Sequence, residues 1–439
     1  MTSYSDSELL TRVGPGTPLG NMMREYWVPA IMSRELTADG DPTRLMLLGE
    51  KLLAFRDTNG RVGIIDHACP HRCASLFYGR NEEAGIRCTY HGWKFDVDGN
   101  CIDMPNVPPH QAFPQKVKVK AYPTVERNGL VWTYMGSREE PPALPLFEPV
   151  LLPEEDRMLF CAQRECNWLQ ALEGDIDTSH FGFLHIGGVT PEEVDQTSMG
   201  RLALINKTPE YHVADTDWGT MYAAHRPADE NSTYWRFAHF LFPFWTMPPD
   251  GFFKDHIIAR AWVPMDDTHT MFFHVSWKKN TPGLRKMKDG TLIPGAEMGM
   301  NYLPNDTSWF GRWRLAANAS NDYLIDRDAQ RSGKNYSGIT GIHLQDQALT
   351  ESMGGIVDHS KEHLAISDLM IGRTRRRIIQ AARAAEAGIT PPGVDNPETY
   401  LGARSGDFVG PKTVGWLESY ANEVRGSDNP TGALRLAAE

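Results

Sequence analysis

Cys69-Pro70-His71, then sixteen residues, then Cys88-Thr89-Tyr90-His91 is the stretch that decides how this chain is built. Each of two short loops supplies one thiol and one imidazole. A structural zinc site usually groups its ligands as C-x2-4-C and H-x3-5-H, whereas here each loop mixes the two types. A [2Fe–2S] cluster with two cysteines on one iron and two histidines on the other requires that mixture. Exchanging two anionic thiolates for neutral imidazoles raises the potential to about −150 to +300 mV, from about −400 mV for all-cysteine plant-type clusters. Pro70 and His91-Gly92-Trp93 suit loops wrapped tightly over such a cluster.

Outward from these loops, residues 43–136 alternate short β-like runs with turn residues. Leu45-Met46-Leu47-Leu48, Leu52-Leu53-Ala54-Phe55, Val62-Gly63-Ile64-Ile65, Trp93-Lys94-Phe95 and Leu130-Val131-Trp132-Thr133-Tyr134 are the clearest runs. Gly49-Glu50, Asp57-Thr58-Asn59-Gly60 and Asp96-Val97-Asp98-Gly99 are turn chemistry between them. This pattern predicts a small antiparallel sandwich. A short helix from Asp6 to Val13 and a break at Gly14-Pro15-Gly16 precede it, and a proline-rich connector from Glu139-Glu140-Pro141-Pro142 to Pro153 follows. The resulting division is an N-terminal arm (1–40), a cluster domain (41–140), the connector (141–155), a second domain (156–390) and a tail (391–439). In the second domain we expect a helix over 167–185, aromatic-rich strands over 200–280, and a Gly- and Pro-containing loop over 281–305. Helices over 306–330 and 344–386 complete an α+β fold. Arg373 and Arg375-Arg376-Arg377 read as a solvated or subunit-contacting face.

Composition narrows the function classes. A chain of 439 residues is long for one core and predicts two domains. A net charge of −12 argues against nucleic acid or an anionic membrane as partner. The N-terminus lacks a basic stretch followed by an apolar core, and no run of about eighteen apolar residues occurs. Six cysteines in this length are not a disulfide framework, so a reducing cytoplasm is expected. No G-x-G-x-x-G follows a strand, so this chain is not expected to bind a nicotinamide itself.

A second constellation lies beyond the connector, in Asp175-Ile176-Asp177-Thr178-Ser179-His180-Phe181-Gly182-Phe183-Leu184-His185. On a regular helix His180 and His185 stand about 140° apart. Both reach one metal only where the helix distorts or ends between them, and Gly182 offers a place for that. Two imidazoles and one carboxylate holding one face of Fe(II), with open positions for O2 and substrate, form the facial triad of non-heme oxygenases. The bland alternative is a satisfied structural histidine pair, and spacing alone does not locate a third ligand.

Cys69-Pro70-His71-Arg72 with Cys88-Thr89-Tyr90-His91-Gly92-Trp93 resembles the Rieske domain of aromatic-ring-hydroxylating oxygenases, and D-x-x-H-x4-H over 177–185 is similar to that family's mononuclear iron motif. Cys73 stands where many relatives carry glycine, and the second loop has no spare cysteine to pair with it, unlike respiratory Rieske proteins. Leu9–Pro18, Tyr26–Ala30, Gly79–Glu83 and Glu351–Gly354 look like the phthalate 4,5-dioxygenase group.

That resemblance implies a Rieske antiparallel β domain followed by a catalytic domain of helix-grip (START-like) type, with an antiparallel sheet flanked by helices. It implies a [2Fe–2S] cluster on Cys69, His71, Cys88 and His91, and Fe(II) on His180, His185 and Asp346, with Glu351 and Asp358 as fallbacks for the carboxylate. Asp177 becomes a bridging carboxylate between His180 and His91 of a neighbouring subunit; its rival reading is a helix-surface or capping acid beside Glu173 and Asp175. A homotrimer or a stacked pair of trimers is implied, supplied with electrons by a separate flavin/[2Fe–2S] reductase that oxidises NADH. The implied reaction is O2-dependent dihydroxylation of an aromatic carboxylate, phthalate-like. O-demethylation or ether cleavage of a methoxylated or aryloxy aromatic acid is the alternative, and a purely electron-transferring Rieske protein is the rival of another class. The substrate pocket is expected from 200–280. Phe244, in the run Phe240-Leu241-Phe242-Pro243-Phe244-Trp245, is a candidate ring contact unless it is plain core. Lys207, Arg236 and Arg260 are candidate carboxylate partners, each with a surface or ion-pair alternative; an arginine would clamp bidentately and a lysine would act as a point charge.

Overall fold

The alternating runs fold as antiparallel strands because their two faces feed two cores. In Glu50–Arg56, Leu52 and Ala54 enter the main core, while Leu53 and Phe55 enter a separate core beneath the Cys/His loops. The structure is a computed structural model and describes residues 2–433 except 197 and 281–285. The part of the predicted 281–305 loop at 281–285 therefore lies outside the described residues. Three small antiparallel sheets make the N-terminal region. One orders Thr43–Leu47, Glu50–Arg56, Val62–Asp66 and Ala121–Tyr122; a second orders Arg80–Glu82, Gly85–Arg87, Lys94–Phe95 and Cys101–Asp103. The third pairs Trp27–Met32, from the N-terminal arm, with Leu130–Tyr134 and then Thr124–Arg127.

This third sheet ties the two halves together. Trp132 stacks on Trp245 at 5.6 Å, and the backbone N–H groups of Leu48 and Gly49 donate to the carbonyls of Pro264 and Met265 at 3.0 and 2.8 Å. The C-terminal half is built on an eight-stranded antiparallel sheet. Its order is Arg157–Arg164, Thr270–Trp277, Ile258–Pro264, Trp245–Met247, Ser232–Leu241, Gly219–Pro227 and Glu210–Thr216. Gly406–Pro411, from the tail, pairs with the first half of Ser232–Leu241. The helix Trp416–Gly426 covers the outer face there, packing Trp416 and Tyr420 against Trp235, Phe237 and Phe408. The inner face is left to the helices that carry the second constellation. No helix among the described residues is long and apolar enough to cross a membrane.

Several expected helices differ. The helix read over 167–185 is two pieces: Trp168–Asp175, capped by the Asn167 side chain on the Leu169 N–H, and a π-helical turn over Phe181–His185. Most of 306–330 is not helical, because Asp306, Asn318 and Asn321 spend their side chains on nearby backbone N–H groups; only Arg327–Arg331 is an α-helix there. The helix read over 344–386 is Ile342–Ser352 and Leu369–Glu386, separated where Gly354 takes a positive φ of 94°. Strands begin at Glu210, since Gly200–Ile205 is helical. The arginine run is also not uniformly solvated. Arg375 is buried and pairs with Glu173 at 2.5 Å and with Glu362, which itself accepts from His359 Nδ1 at 2.9 Å. Glu173, His359 and Glu362 cluster closely enough to hold a cation, and the Arg375 guanidinium is that cation. Arg373 does lie at the surface, on Asp215.

Candidate metal centres

The two Cys/His loops have the same turn. Cys69 accepts from the Cys73 N–H and donates to the Ala74 carbonyl, while Cys88 accepts from the Gly92 N–H and donates to the Trp93 carbonyl, all at 2.8 Å. Cys73 and Gly92 thus occupy matching places, and both have positive φ, 59° and 81°. At Gly92 a Cβ would sit 2.6 Å from Pro105, so that loop needs glycine on two counts. Cys73 adopts the same conformation at the strain cost of a Cβ. The loops bring the His71 and His91 rings to 4.4 Å between centroids, with Trp93 stacked on His71 at 4.3 Å. The Cys69 and Cys88 thiols are buried, and no disulfide joins any cysteine among the described residues. Burial pushes the Cys69 thiol up to about 11, although the His71 and Arg72 N–H groups oppose this by pointing at its sulfur. Two buried sulfurs, backbone donors aimed at one of them, and two imidazoles at the rim fit a cluster with mixed ligands.

The second constellation closes around one point. After Trp168–Asp175 ends, Asp177 folds back on itself, accepting from the Ser179 N–H at 2.6 Å. The next turn is widened: the Ile186 N–H reaches the Phe181 carbonyl at 3.3 Å, an i to i+5 bond. Five residues then make about one turn, so His180 and His185 meet on one side instead of diverging, with their rings edge-on at 78°. Their Nε2 atoms lie 3.1 Å apart. Asp346, the fifth residue of Ile342–Ser352, places Oδ1 at 3.2 Å from His185 Nε2 and 3.6 Å from His180 Nε2. Two nitrogens bonding one metal at about 2.1 Å and at right angles lie about 3 Å apart, so this spacing fits a single ion. Glu351 and Asp358 are elsewhere: Glu351 accepts from the Glu165 N–H and Gln347, and Asp358 caps His359–Lys361.

Partners outside the donor set orient it. Asp177 Oδ2 meets His180 Nδ1 at 3.1 Å, and Gln345 Oε1 meets His185 Nδ1 at 2.7 Å. Each directs its imidazole's Nε2 at the metal position. Burial opposes charge on His180, but Asp177 outweighs it and lifts the imidazole to about 9. Burial also opposes charge on Asp346, yet His185 and His180 hold its carboxyl well below the usual range. Gln345 has no signal of its own in the sequence beyond its place beside Asp346.

The donors open into a cavity lined also by Phe181, Pro248, Pro249, Met298 and Ile342, with Arg236 and Arg260 in its wall. Arg260 is charge-balanced by Asp175 and Asp250. Arg236 is 4% exposed, donates to the Pro249 carbonyl at 2.9 Å and lies over the Phe181 ring. Among the described residues no carboxylate comes within ion-pair reach of it. The other two substrate candidates do not reach this cavity. Lys207 sits over the Phe183 ring at 4.8 Å. Phe244 is fully buried core beside Trp245, in the turn between Ser232–Leu241 and Trp245–Met247. Arg164, unmarked in the sequence, lines an adjoining compartment with Asp346; it stacks over Trp262 and donates to Thr350 on the helix that carries Asp346.

Comparison with known proteins identifies the family of both halves of the chain. A family model described as Rieske [2Fe-2S] domain matches residues 26–123, and one described as LigXa C-terminal domain like matches residues 133–432. The chain is 52% identical to the 3-chlorobenzoate-3,4-dioxygenase oxygenase subunit of Comamonas testosteroni, over 97% of this chain and 99% of that one. It is 37% identical to the phthalate 4,5-dioxygenase oxygenase subunit of Pseudomonas putida, over 98% and 97%, and 31% identical to a 5,5'-dehydrodivanillate O-demethylase oxygenase subunit of Sphingobium, over 90% and 84%. In fold it is similar to dicamba monooxygenase bound to dicamba, with a TM-score of 0.55 over 84% of this chain and 99% of that one, at 18% identity. With a Rieske domain, a matching C-terminal domain and full-length relatives of this kind, the chain belongs to the Rieske non-heme iron oxygenases, as the oxygenase subunit of a multicomponent system.

Proposed function

We propose that this oxygenase dihydroxylates the ring of an aromatic carboxylate. The observation that carries this reading is Arg236: a buried guanidinium in the wall of the donor cavity, with Asp407 and Asp250 nearby but no carboxylate in ion-pair distance among the described residues. Asp407 and Asp250 hold its charge only from beyond ion-pair distance, and a substrate carboxylate would pair with it directly. In this reading Cys69, His71, Cys88 and His91 hold the cluster, and His180, His185 and Asp346 hold the mononuclear iron. When bound, the iron supplies O2 activation and the cluster supplies single electrons, drawn from a flavin/[2Fe–2S] reductase fed by NADH. The chain's own residues do the rest. Arg236 orients the acid, Phe181, Met298 and Ile342 exclude water from the cavity, and Asp177 and Gln345 keep both imidazoles aimed.

Asp177 also joins the two centres, but between subunits. Among the described residues no hydrogen bond links His91 to Asp177 within the chain. Tyr90, beside His91, is 57% exposed, and the Asp177 side chain is 21% exposed. We place His91 of one subunit against Asp177 of the next, in a trimer or stacked pair of trimers. The free cysteines fit a reducing cytoplasm.

The test is product analysis under 18O2 with reductase, using benzoate, 3-chlorobenzoate, phthalate and a methoxybenzoate. The expected product is a diol carrying both labelled atoms, and Arg236→Gln should raise KM for the acid about tenfold or more. Formaldehyde from the methoxybenzoate, with no diol from any acid, would replace this reading by O-demethylation.

A further inference from the structure

The inner face of the catalytic sheet holds a second buried arginine, Arg226, diagonal to Arg236 on the adjacent strand. The antiparallel register sets Arg226 opposite Tyr234, and Arg236 opposite Ala224 on one side and Asp407 on the other. Tyr211 is also opposite Ala224, so Tyr211, Arg226, Tyr234, Arg236 and Asp407 all project to one face. Arg226 is 2% exposed. Its Nε donates to the Asn206 carbonyl at 2.6 Å, and its Nη1 has no partner. Arg236 Nε, the Tyr211 hydroxyl and one Asp407 oxygen are likewise buried without partners, while the other Asp407 oxygen accepts from the Tyr234 hydroxyl at 2.8 Å.

Two guanidinium groups on diagonal neighbours of adjacent strands repel each other, and neither has a carboxylate in ion-pair reach among the described residues. Burial and the nearby Arg236 draw the Arg226 guanidinium down to about 10. Burial holds the Asp407 carboxyl up at about 7, so near neutral pH it offers these cations only a partial negative charge, which with Asp250 helps to hold the charge on Arg236. An anion seated here would relieve the repulsion and engage the unpartnered donors together.

We infer that Arg226 and Arg236 form one buried anion seat for the substrate's ring carboxylate, Arg236 from the cavity wall and Arg226 from its diagonal position on the adjacent strand. This rests on the aromatic-acid reading above. The seat selects a carboxylate over a neutral isostere of the same shape, because a carboxamide leaves both charges unpaired.

Calorimetric titration of the iron-replete enzyme with benzoate and with benzamide tests this. Wild type should prefer benzoate. Arg226→Gln should weaken benzoate about tenfold or more while changing benzamide by less than about twofold, with the visible circular dichroism of the cluster unchanged. Arg226→Lys, which keeps the charge but loses the planar fork, should fall between, and it provides the reading if the glutamine variant does not fold. An unaltered benzoate-to-benzamide ratio in both variants overturns the seat and leaves the aromatic-acid reading standing. A wild type that binds the two ligands equally overturns the aromatic-acid reading itself, and the seat with it.

Discussion

Gln345 holds His185 at a buried point where nothing else can replace it. Its Oε1 accepts from His185 Nδ1 at 2.7 Å, and its Nε2 donates to the carbonyls of Gly295 and Ile339 at 3.1 and 2.8 Å. Gln345→Leu keeps much of the volume and removes all three bonds. The His185 side chain is 5% exposed, so its N–H cannot turn to water. An orphaned buried donor costs about 1–3 kcal/mol. Loss of such an orienting partner weakens metal binding about 10–100-fold, or about 1.4–2.7 kcal/mol; the two routes agree. The expected result is mononuclear iron held about 10–100-fold more weakly, with the cluster untouched because it sits over a separate core. Competition with a chelator, followed by iron counting against cluster absorbance, measures this. Gln345→Glu keeps an acceptor for His185 and should retain more iron than the leucine variant. Iron affinity in Gln345→Leu within about twofold of wild type would refute the orienting role assigned to this side chain.

Asp177→Asn keeps an oxygen for the Ser179 N–H but sets an amide donor against His180 Nδ1 and loses the charge, lowering O2-coupled turnover per bound iron about 10–100-fold at unchanged cluster content; normal turnover per iron would remove Asp177 from the path between centres. Glu362 gives a pH prediction: burial opposes its charge, but His359 and Arg375 outweigh that and hold it at about 2, below the ordinary 4.5. Its contribution is therefore present above pH 4.5 and lost as the pH falls toward 2. In Glu362→Gln the urea midpoint at pH 7 should drop and the stability slope across that acid window should flatten; parallel profiles for both proteins would contradict the pairing.

What the sequence displays well is chemistry confined to one loop. Cys69 to His71 and Cys88 to His91 declare a mixed ligand set because each loop carries its own pair. The divergence of His180 and His185 on a regular helix was visible too, but its resolution was not. Glycine at 182 is not what permits the distortion: a Cβ there would meet only ordinary contacts, the nearest 3.5 Å away at the Ala203 carbonyl. The widened Phe181–Ile186 hydrogen bond does the work, and that bond depends on packing around the turn rather than on a residue type. Asp346 is farther still from local reading. It reaches the histidines because Ile342–Ser352 packs beside Trp168–Asp175, an arrangement no spacing encodes.

The same reasoning separates the arginines. By residue type Arg236, Arg260 and Arg375 are equal, and only their neighbours tell them apart. Arg375 meets Glu173, 202 positions away, and becomes part of the frame. Arg260 meets Asp175, 85 positions away, and Asp250, and its charge is already answered. Arg236 has a backbone carbonyl, an aromatic face and Asp407, a cross-strand neighbour whose carboxyl burial keeps substantially protonated near pH 7. A buried guanidinium beside a metal donor set, with Asp407 and Asp250 near it but no carboxylate in ion-pair distance among the described residues, is the feature that favours an anionic substrate. That conclusion depends on which carboxylates of the cavity lie within ion-pair distance of each guanidinium, and such a fact exists only once the chain has folded.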